Sequence, residues 1–219
     1  MSRFAAAIFD LDGTLLDTER PIVDTALSIL AARGHPVTRA FLLSLVGIDV
    51  IEGNRRLAAH LGPEVDVDSF TAEWNTAARA AMADGIALKP GVAALLDTLA
   101  QQGLPRAVAT NSATQAAQRK LGLAGLSHHF DAAHVVGYDA VARPKPAADV
   151  YLMAAARLGV APSACVAFED SAPGVAAALA AGMTVVHVPD MLPARMEQAT
   201  AHHLAGSILD GARACGLIA

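Results

Sequence analysis

A short apolar segment near the start of the chain runs directly into a pair of carboxylates. Residues Phe4–Phe9 predict a buried strand, and the chain continues as Asp10-Leu-Asp-Gly-Thr14. Two carboxylates two positions apart leave a strand on the same side, where like charges raise each other's pKa unless a cation neutralises them. Asp-Gly pairs are also common in ordinary turns. The carboxyl edge of a parallel sheet, however, is where open α/β folds bind ligands, so the segment predicts a functional site.

The rest of the chain alternates strands and helices, with one long interruption. Between Glu19 and Ile86 the apolar spacing is helical throughout. Later strands are predicted at Leu104–Thr110, near Asp131–Val135, at Cys165–Phe168 and at Met183–Val188, each preceded by a helix. This order predicts an α/β fold with a Rossmann-like parallel sheet core in residues 1–16 and 90–219. Residues 17–89 are predicted to form an inserted all-helical domain.

Three more polar clusters are associated with these strands. They are Asn111-Ser112 after the second strand, Lys145 within Arg143-Pro-Lys-Pro146, and Glu169-Asp170 after Cys165–Phe168. Each has an ordinary explanation, since Asn and Ser cap helices and a lone lysine is usually a solvated surface charge. Together with Asp10–Thr14, and in this order, the four clusters resemble the haloacid dehalogenase (HAD) superfamily over nearly the whole chain. The size of the helical insertion, which the resemblance makes a cap domain, is similar to that of the beta-phosphoglucomutase and sugar-phosphate phosphatase branch.

Asp10, Asp12 and Lys145 are the candidate catalytic residues. Asp10 can attack phosphorus and form an aspartyl-phosphate, which splits one hard step into two easier ones. Asp12 is placed to protonate the leaving alkoxide and then to deprotonate the attacking water. Lys145, held between two prolines, can offset the charge of Asp10 and of the transferring phosphoryl group. The resemblance implies the same roles and adds that the backbone carbonyl of Asp12 binds a metal.

The expected cofactor is Mg²⁺, because the candidate ligands are all oxygens. They are Asp10, the Asp12 carbonyl and Asp170, with waters and the substrate phosphate completing the shell. Glu169 is a further candidate, as a direct or water-mediated ligand, and the resemblance places Asp170 ahead of it. The eight histidines are scattered without zinc-like spacing, and His128 and His129 are expected to be exposed loop residues.

The substrate phosphoryl group is expected to lie at the end of the second core strand. Hydroxyl and backbone N–H groups at a helix N-terminus can hold phosphoryl oxygens. The resemblance places a Ser or Thr in contact with the phosphoryl group, and both Thr110 and Ser112 fit that description. Ser112 is favoured, with Asn111 contributing through its backbone and Lys145 through its charge.

These assignments imply a Mg²⁺-dependent phosphatase acting on a small phosphate monoester, such as a sugar phosphate or a phosphoglycolate-like compound. A dehalogenase would not need a proton donor such as Asp12. A beta-phosphoglucomutase-like mutase ranks second, because Glu19–Val23 lacks a histidine and Val46–Val50 lacks an arginine at the positions that the mutase uses. Thr14 is also phosphatase-like. A non-catalytic binding protein on this fold is the third alternative, which the intact acidic set disfavours.

Composition excludes several other classes of protein. The net charge is −5 and no run rich in lysine or arginine occurs, which argues against nucleic acid as a partner. No stretch of about 20 apolar residues is free of charges, which argues against a membrane span. Asp10 and Asp12 interrupt any signal-peptide core, so a cytoplasmic protein is expected. We expect a monomer whose partner is a small phosphorylated metabolite.

Overall fold

The computed structural model describes residues 3–45, 50–191 and 200–219, and the chain divides into two compact units. The first comprises Met1–Asp17 and Ile86–Ala219, and the second comprises Thr18–Gly85. The segment that begins at Ile86 joins the first unit because its main chain pairs there: the Asp17 N–H donates to the Ala87 carbonyl (2.8 Å) and the Lys89 N–H to the Leu15 carbonyl (3.0 Å).

The strands described in the first unit form one parallel sheet. They are β1 (Ala6–Phe9), β2 (Arg106–Ala109), β3 (Val135–Val136), β4 (Cys165–Glu169), β5 (Thr184–His187) and β6 (His203–Leu204). Their order across the sheet is β3-β2-β1-β4-β5-β6. Phe9 pairs with Val108 of β2 on one side and with Phe168 of β4 on the other. The strand order therefore reverses at β1, and the predicted parallel, Rossmann-like core is confirmed.

The second unit is helical. Its described helices are α1 (Glu19–Ala32), α2 (Arg39–Leu43), α3 (Val50–Leu61) and α4 (Val67–Ala81). Helices α1 and α4 pack on each other, and Trp74 of α4 joins them by donating from Nε1 to the Ile22 carbonyl of α1 (2.7 Å). Within α4, Trp74 also stacks on Phe70 (5.5 Å). The role of this second unit as a cap that selects the substrate stays a prediction.

Helices lie on both faces of the sheet. They are α5 (Val92–Gln101), α6 (Thr114–Leu123), α7 (Asp149–Leu158), α8 (Ala172–Ala180) and α9 (Ile208–Ala214). Helices α7 and α8 pack in a buried apolar cluster that includes Ile8 and Val185. On the opposite face Phe9 stacks on Phe168 (5.1 Å), and α9 approaches this face through Gly211. Within the described ranges, no helix is long and apolar enough to cross a membrane.

Two local predictions need correction. The strand expected near Asp131–Val135 begins only at Val135, because the Asp131 carboxylate accepts a hydrogen bond from the Ala133 N–H (2.8 Å) and caps a short 3₁₀ turn. The segment before α9 contains strand β6, which was not among the predicted strands and whose His203 pairs with Val186 of β5. Such a pairing depends on a partner strand distant in sequence, which local patterns do not show.

Candidate active site

The residues predicted to carry the chemistry collect at one edge of the sheet. Asp10 and Asp12 follow β1, and Thr110 to Ser112 follow β2. Glu169 is the last residue of β4 with Asp170 directly after it, and Lys145 comes from the segment between β3 and α7. Since parallel strands place their carboxyl ends at the same edge, neighbouring strands bring these residues together around β1.

Lys145 lies between two carboxylates. Its Nζ is 2.6 Å from Asp10 Oδ1 and 2.5 Å from Glu169 Oε1, and its side chain is 3% exposed. Burial lowers the pKa of Lys145, but the carboxylates of Asp10 and Glu169 outweigh burial and raise the pKa above its usual range. Burial raises the pKa of Asp10 to about 7, against the opposing effect of Lys145. Lys145 is therefore a fixed, buried positive charge in contact with the candidate nucleophile.

Glu169 is fully buried and surrounded by donors. Besides Lys145, the Tyr151 hydroxyl donates to Oε1 (2.7 Å) and the Ser171 hydroxyl donates to Oε2 (3.1 Å). The close fit extends to Gly174, where an added Cβ would lie 1.9 Å from Glu169 Cδ. Glycine at this helix position thus makes room for the carboxylate, and Glu169 in turn fixes the Lys145 ammonium group.

The Asn111 side chain fixes the main chain at Lys145. Its Oδ1 accepts from the Lys145 N–H (3.0 Å) and its Nδ2 donates to the Lys145 carbonyl (3.2 Å). The Asn111 amide thus bonds both the N–H and the carbonyl of Lys145, as the main chain of a neighbouring strand would. Asn111 therefore has a structural task besides the phosphate-binding role predicted for its backbone.

Asp170 is held from two sides. The Thr14 hydroxyl donates to Asp170 Oδ1 (3.1 Å), and His187 Nε2 lies 2.9 Å from the Asp170 carbonyl oxygen. Gly13 has a φ of +87°, and an added Cβ would lie 2.3 Å from Asp170 Oδ2. Glycine in the Asp-Gly turn is thus required by conformation and by space. Burial, and then the charge of Asp10, raises the pKa of Asp170 well above its usual range.

The acidic set fits a divalent cation. One oxygen each from Asp10, Glu169 and Asp170 lies within 4.8 Å of the others. Burial, with neighbouring negative charge as a smaller cause, raises the pKa of Asp10 and of Asp170, so a bound cation would stabilise their charged forms. An all-oxygen donor set of this kind suits Mg²⁺. Both Glu169 oxygens already accept hydrogen bonds, which favours Asp10 and Asp170 as ligands.

Lys120 is a site residue that we did not expect from the sequence. Its Nζ lies 2.7 Å from each carboxylate oxygen of Asp12 and 3.0 Å from Ser112 Oγ. The Ser112 hydroxyl donates to Asp12 Oδ2 (2.8 Å), whereas Thr110 Oγ1 accepts from the Ser112 N–H (3.0 Å). Which of the two hydroxyls meets the phosphoryl group stays a prediction. The sequence feature that could have pointed to Lys120 is the rarity of lysine, which occurs only three times in the chain.

A second group with metal-ligating atoms consists of Asp97, His128 and His129, whose atoms lie within 4.8 Å of one another. The expectation that His129 is exposed is wrong, since the residue is buried. Its Nε2 lies 3.4 Å from Asp97 Oδ1, and its carbonyl accepts from Arg106 Nε (2.8 Å). Because the Arg106 guanidinium opposes a cation here, we place no metal at this group.

The chain is similar to known phosphatases and to solved structures. The chain is 34% identical over 186 residues to the fructose-1-phosphate phosphatase YqaB of Escherichia coli (strain K12), covering 85% of this chain and 97% of that protein. It is 36% identical over 182 residues to the phosphoglycolate phosphatase of Xylella fastidiosa (strain 9a5c), covering 80% and 76% respectively. A HAD family hydrolase from Deinococcus radiodurans R1, crystallised with phosphate and sodium, superposes with a TM-score of 0.84 at 30% identity, covering 100% of this chain and 99% of that one. The model of the haloacid dehalogenase-like hydrolases matches residues 4–182, and the chain therefore belongs to that family.

Proposed function

We propose that this protein is a Mg²⁺-dependent phosphatase that hydrolyses a small phosphate monoester, such as a sugar phosphate or a phosphoglycolate-like compound, through an aspartyl-phosphate on Asp10. Membership of the family, together with the similarity to named phosphatases, makes the chain a phosphoric monoester hydrolase. The metal, the substrate class and the residue roles are the proposal. The observation that carries it is the buried contact of Lys145 with Asp10 at the carboxyl edge of the sheet.

In the first half of the reaction, a carboxylate oxygen of Asp10 attacks the phosphorus of the ester. The bond between phosphorus and the leaving oxygen breaks, and Asp12 gives that oxygen a proton, so the alcohol leaves neutral. Lys145 offsets negative charge on Asp10 and on the phosphoryl oxygens, and Glu169 keeps the ammonium group in place. Hydroxyl and backbone groups at Asn111 and Ser112 are proposed to hold the phosphoryl oxygens.

In the second half, water attacks the phosphorus of the aspartyl-phosphate. The bond from phosphorus to Asp10 breaks and regenerates the carboxylate, while Asp12 accepts the proton that the water loses. The candidate ligands Asp10, the Asp12 carbonyl and Asp170 would hold Mg²⁺. When bound, the ion supplies charge neutralisation to the acidic set and to the phosphoryl group.

Metal binding gives a test that does not depend on activity. Adding Mg²⁺ to metal-free protein is expected to raise Tm, because a ligand at 100 times its Kd stabilises the folded state by about 2.7 kcal/mol. Asp170→Asn removes one of the crowded charges, so it is expected to raise Tm in EDTA and to lose most of the Mg²⁺ shift. Differential scanning fluorimetry with an Asp84→Asn control, at an exposed position, measures both effects. An undiminished Mg²⁺ shift in Asp170→Asn would remove Asp170 from the ligand set.

Ca²⁺ is expected to bind at the same site as Mg²⁺ without supporting turnover. It accepts 6–8 oxygen ligands and bidentate carboxylates, so it can occupy both oxygens of Asp10 and leave no attacking atom. Ca²⁺ is therefore expected to raise Tm while inhibiting the Mg²⁺-supported reaction competitively with Mg²⁺.

The proposed substrate class rests on the similarity to a fructose-1-phosphate phosphatase and to a phosphoglycolate phosphatase. A mutase would need cationic groups for a second phosphate. Residues Glu19–Val23, at the start of α1, include no histidine. The second segment used in this comparison, Val46–Val50, falls mostly outside the described residues, so its lack of arginine rests on the sequence alone.

A product assay is expected to distinguish phosphatase from mutase. With β-glucose 1-phosphate and a trace of glucose 1,6-bisphosphate, we expect release of phosphate to exceed formation of glucose 6-phosphate. Coupled assays measure the two products in parallel, and a panel of sugar phosphates and phosphoglycolate ranks kcat/KM. Isomerisation that greatly exceeds phosphate release would replace the phosphatase by the mutase.

A further inference from the structure

The Asp12 carboxylate is held by two donors that come from elsewhere in the first unit. Lys120 contacts both carboxylate oxygens at 2.7 Å, and the Ser112 hydroxyl donates to one of them at 2.8 Å. Lys120 also donates to Ser112 Oγ (3.0 Å), so the three side chains form one closed set of hydrogen bonds. Their geometry fixes the carboxylate more firmly than the turn after β1 alone would do.

The fold explains why Lys120 reaches this position. Ser112 lies just before the N-terminus of α6, and Lys120 lies near the end of that helix. Side chains on a helix tilt towards its N-terminus, so the long lysine stem extends back along α6 towards the sheet edge. The Lys120 side chain is 26% exposed and that of Asp12 is 23% exposed, so the pair is sheltered but open to water on one side.

An ion pair at this place has a consequence for catalysis. The pair is open to water on one side, and fully exposed pairs contribute only about 0–1 kcal/mol, so stability alone does not account for it. Asp12, by contrast, must present an oxygen within hydrogen-bond reach of the proton that it takes. Lys120 contacts both oxygens of this carboxyl group, so it fixes the orientation of the group that takes the proton.

We infer that Lys120 is a positioning residue that holds the Asp12 carboxylate ready to accept the proton of the attacking water. The inference rests on the proposed function. In the step concerned, the water oxygen bonds to phosphorus and the bond from phosphorus to Asp10 breaks. One water proton goes to Asp12, hydrogen phosphate leaves, and the Asp10 carboxylate is restored. Lys120 touches none of the reacting atoms and acts through Asp12.

The two halves of the reaction make this inference measurable. p-Nitrophenyl phosphate has a good leaving group, so its first half needs little help from an acid, and the second half depends on Asp12 as base. For Lys120→Met we expect kcat to fall about 10- to 100-fold while kcat/KM stays within about threefold of wild type. The loss is smaller than the roughly 10²- to 10⁴-fold contribution of general acid–base catalysis, because Asp12 itself is still present. KM then falls with kcat, because the phosphorylated enzyme accumulates.

Rapid quenching provides the direct readout. Lys120→Met is expected to show a burst of p-nitrophenol equal to the enzyme concentration, and intact-protein mass spectrometry should show one added phosphoryl group at steady state. Arg119→Met is the matched control, because it removes a positive charge from the same helix at an exposed position. Lys120→Arg keeps a cation and should recover most of kcat. Lys120→Gln repeats the test if the methionine variant folds poorly by circular dichroism.

The outcomes separate this inference from the proposed function. If kcat and kcat/KM fall together in Lys120→Met and Lys120→Gln, or if neither changes, Lys120 does not act through the base step and the inference is wrong. If wild-type enzyme hydrolyses esters and Asp10 becomes phosphorylated, the proposed function stands in either case. If wild type hydrolyses no phosphate ester, the proposed function fails before the variants are compared, and the inference fails with it.

Discussion

Asp10→Asn is expected to lower kcat by roughly 10⁴- to 10⁶-fold, the scale seen when a covalent nucleophile is removed from an enzyme. The amide is a poor nucleophile but has nearly the same shape as the carboxylate, so the fold should persist. Asparagine also removes one of three crowded negative charges, and burial disfavours ionised Asp10, as its pKa of about 7 indicates. Tm in EDTA is therefore expected to be equal to or above that of wild type.

Steady-state phosphate release and thermal unfolding measure the two effects on the same preparation. Asp84→Asn, the same substitution at an exposed position, serves as the control and should retain wild-type kcat. In wild type, fluoroberyllate with Mg²⁺ should form an adduct at Asp10 that the asparagine variant cannot form. Substantial turnover by Asp10→Asn would exclude an aspartyl-phosphate at this position.

Lys145→Met is expected to reduce both stability and activity. It leaves Asp10 and Glu169 buried without their shared cation, and breaking a buried ion pair from one side costs about 3–5 kcal/mol. In a chain of this size, each kcal/mol corresponds to roughly 2–4 °C in Tm. Loss of a charge aimed at the phosphoryl group should lower kcat by about 10³-fold, the upper end of the cost of removing one neutral donor.

The double variant Lys145→Met with Glu169→Gln separates the two effects. Glutamine keeps the shape of Glu169 and removes its charge, so the double variant should regain much of the lost Tm in EDTA but none of the lost kcat. Urea unfolding and kinetics on the four proteins of the cycle test this expectation. Recovery of activity in the double variant would mean that Lys145 only balances Glu169 and does not assist the reaction.

Local sequence patterns predicted much of the fold and the approximate place of the site. Helical spacing and β-strand runs depend on near neighbours, so the helical character of the stretch from Glu19 to Ile86, where α1 to α4 lie, was predicted. The same holds for the strand-end position of Asp10 and of Glu169-Asp170, because parallel strands expose their carboxyl ends at one edge. Pairing between strands distant in sequence could not be predicted from these local patterns. Strand β6 was not predicted, and β3 is shorter than expected.

The composition of the site beyond its motifs was decided by tertiary structure. Asn111 holds the backbone of Lys145, and Thr14 donates to Asp170, contacts between residues 34 and 156 positions apart. Lys120 is 108 positions from Asp12 and comes from a different helix. No local pattern marks such pairs, because the distance between them depends on how sheet and helices pack. The sequence by itself therefore determined the fold class, the acidic strand ends and the candidate roles of Asp10, Asp12 and Lys145, whereas only packing decided which side chains hold those groups in place.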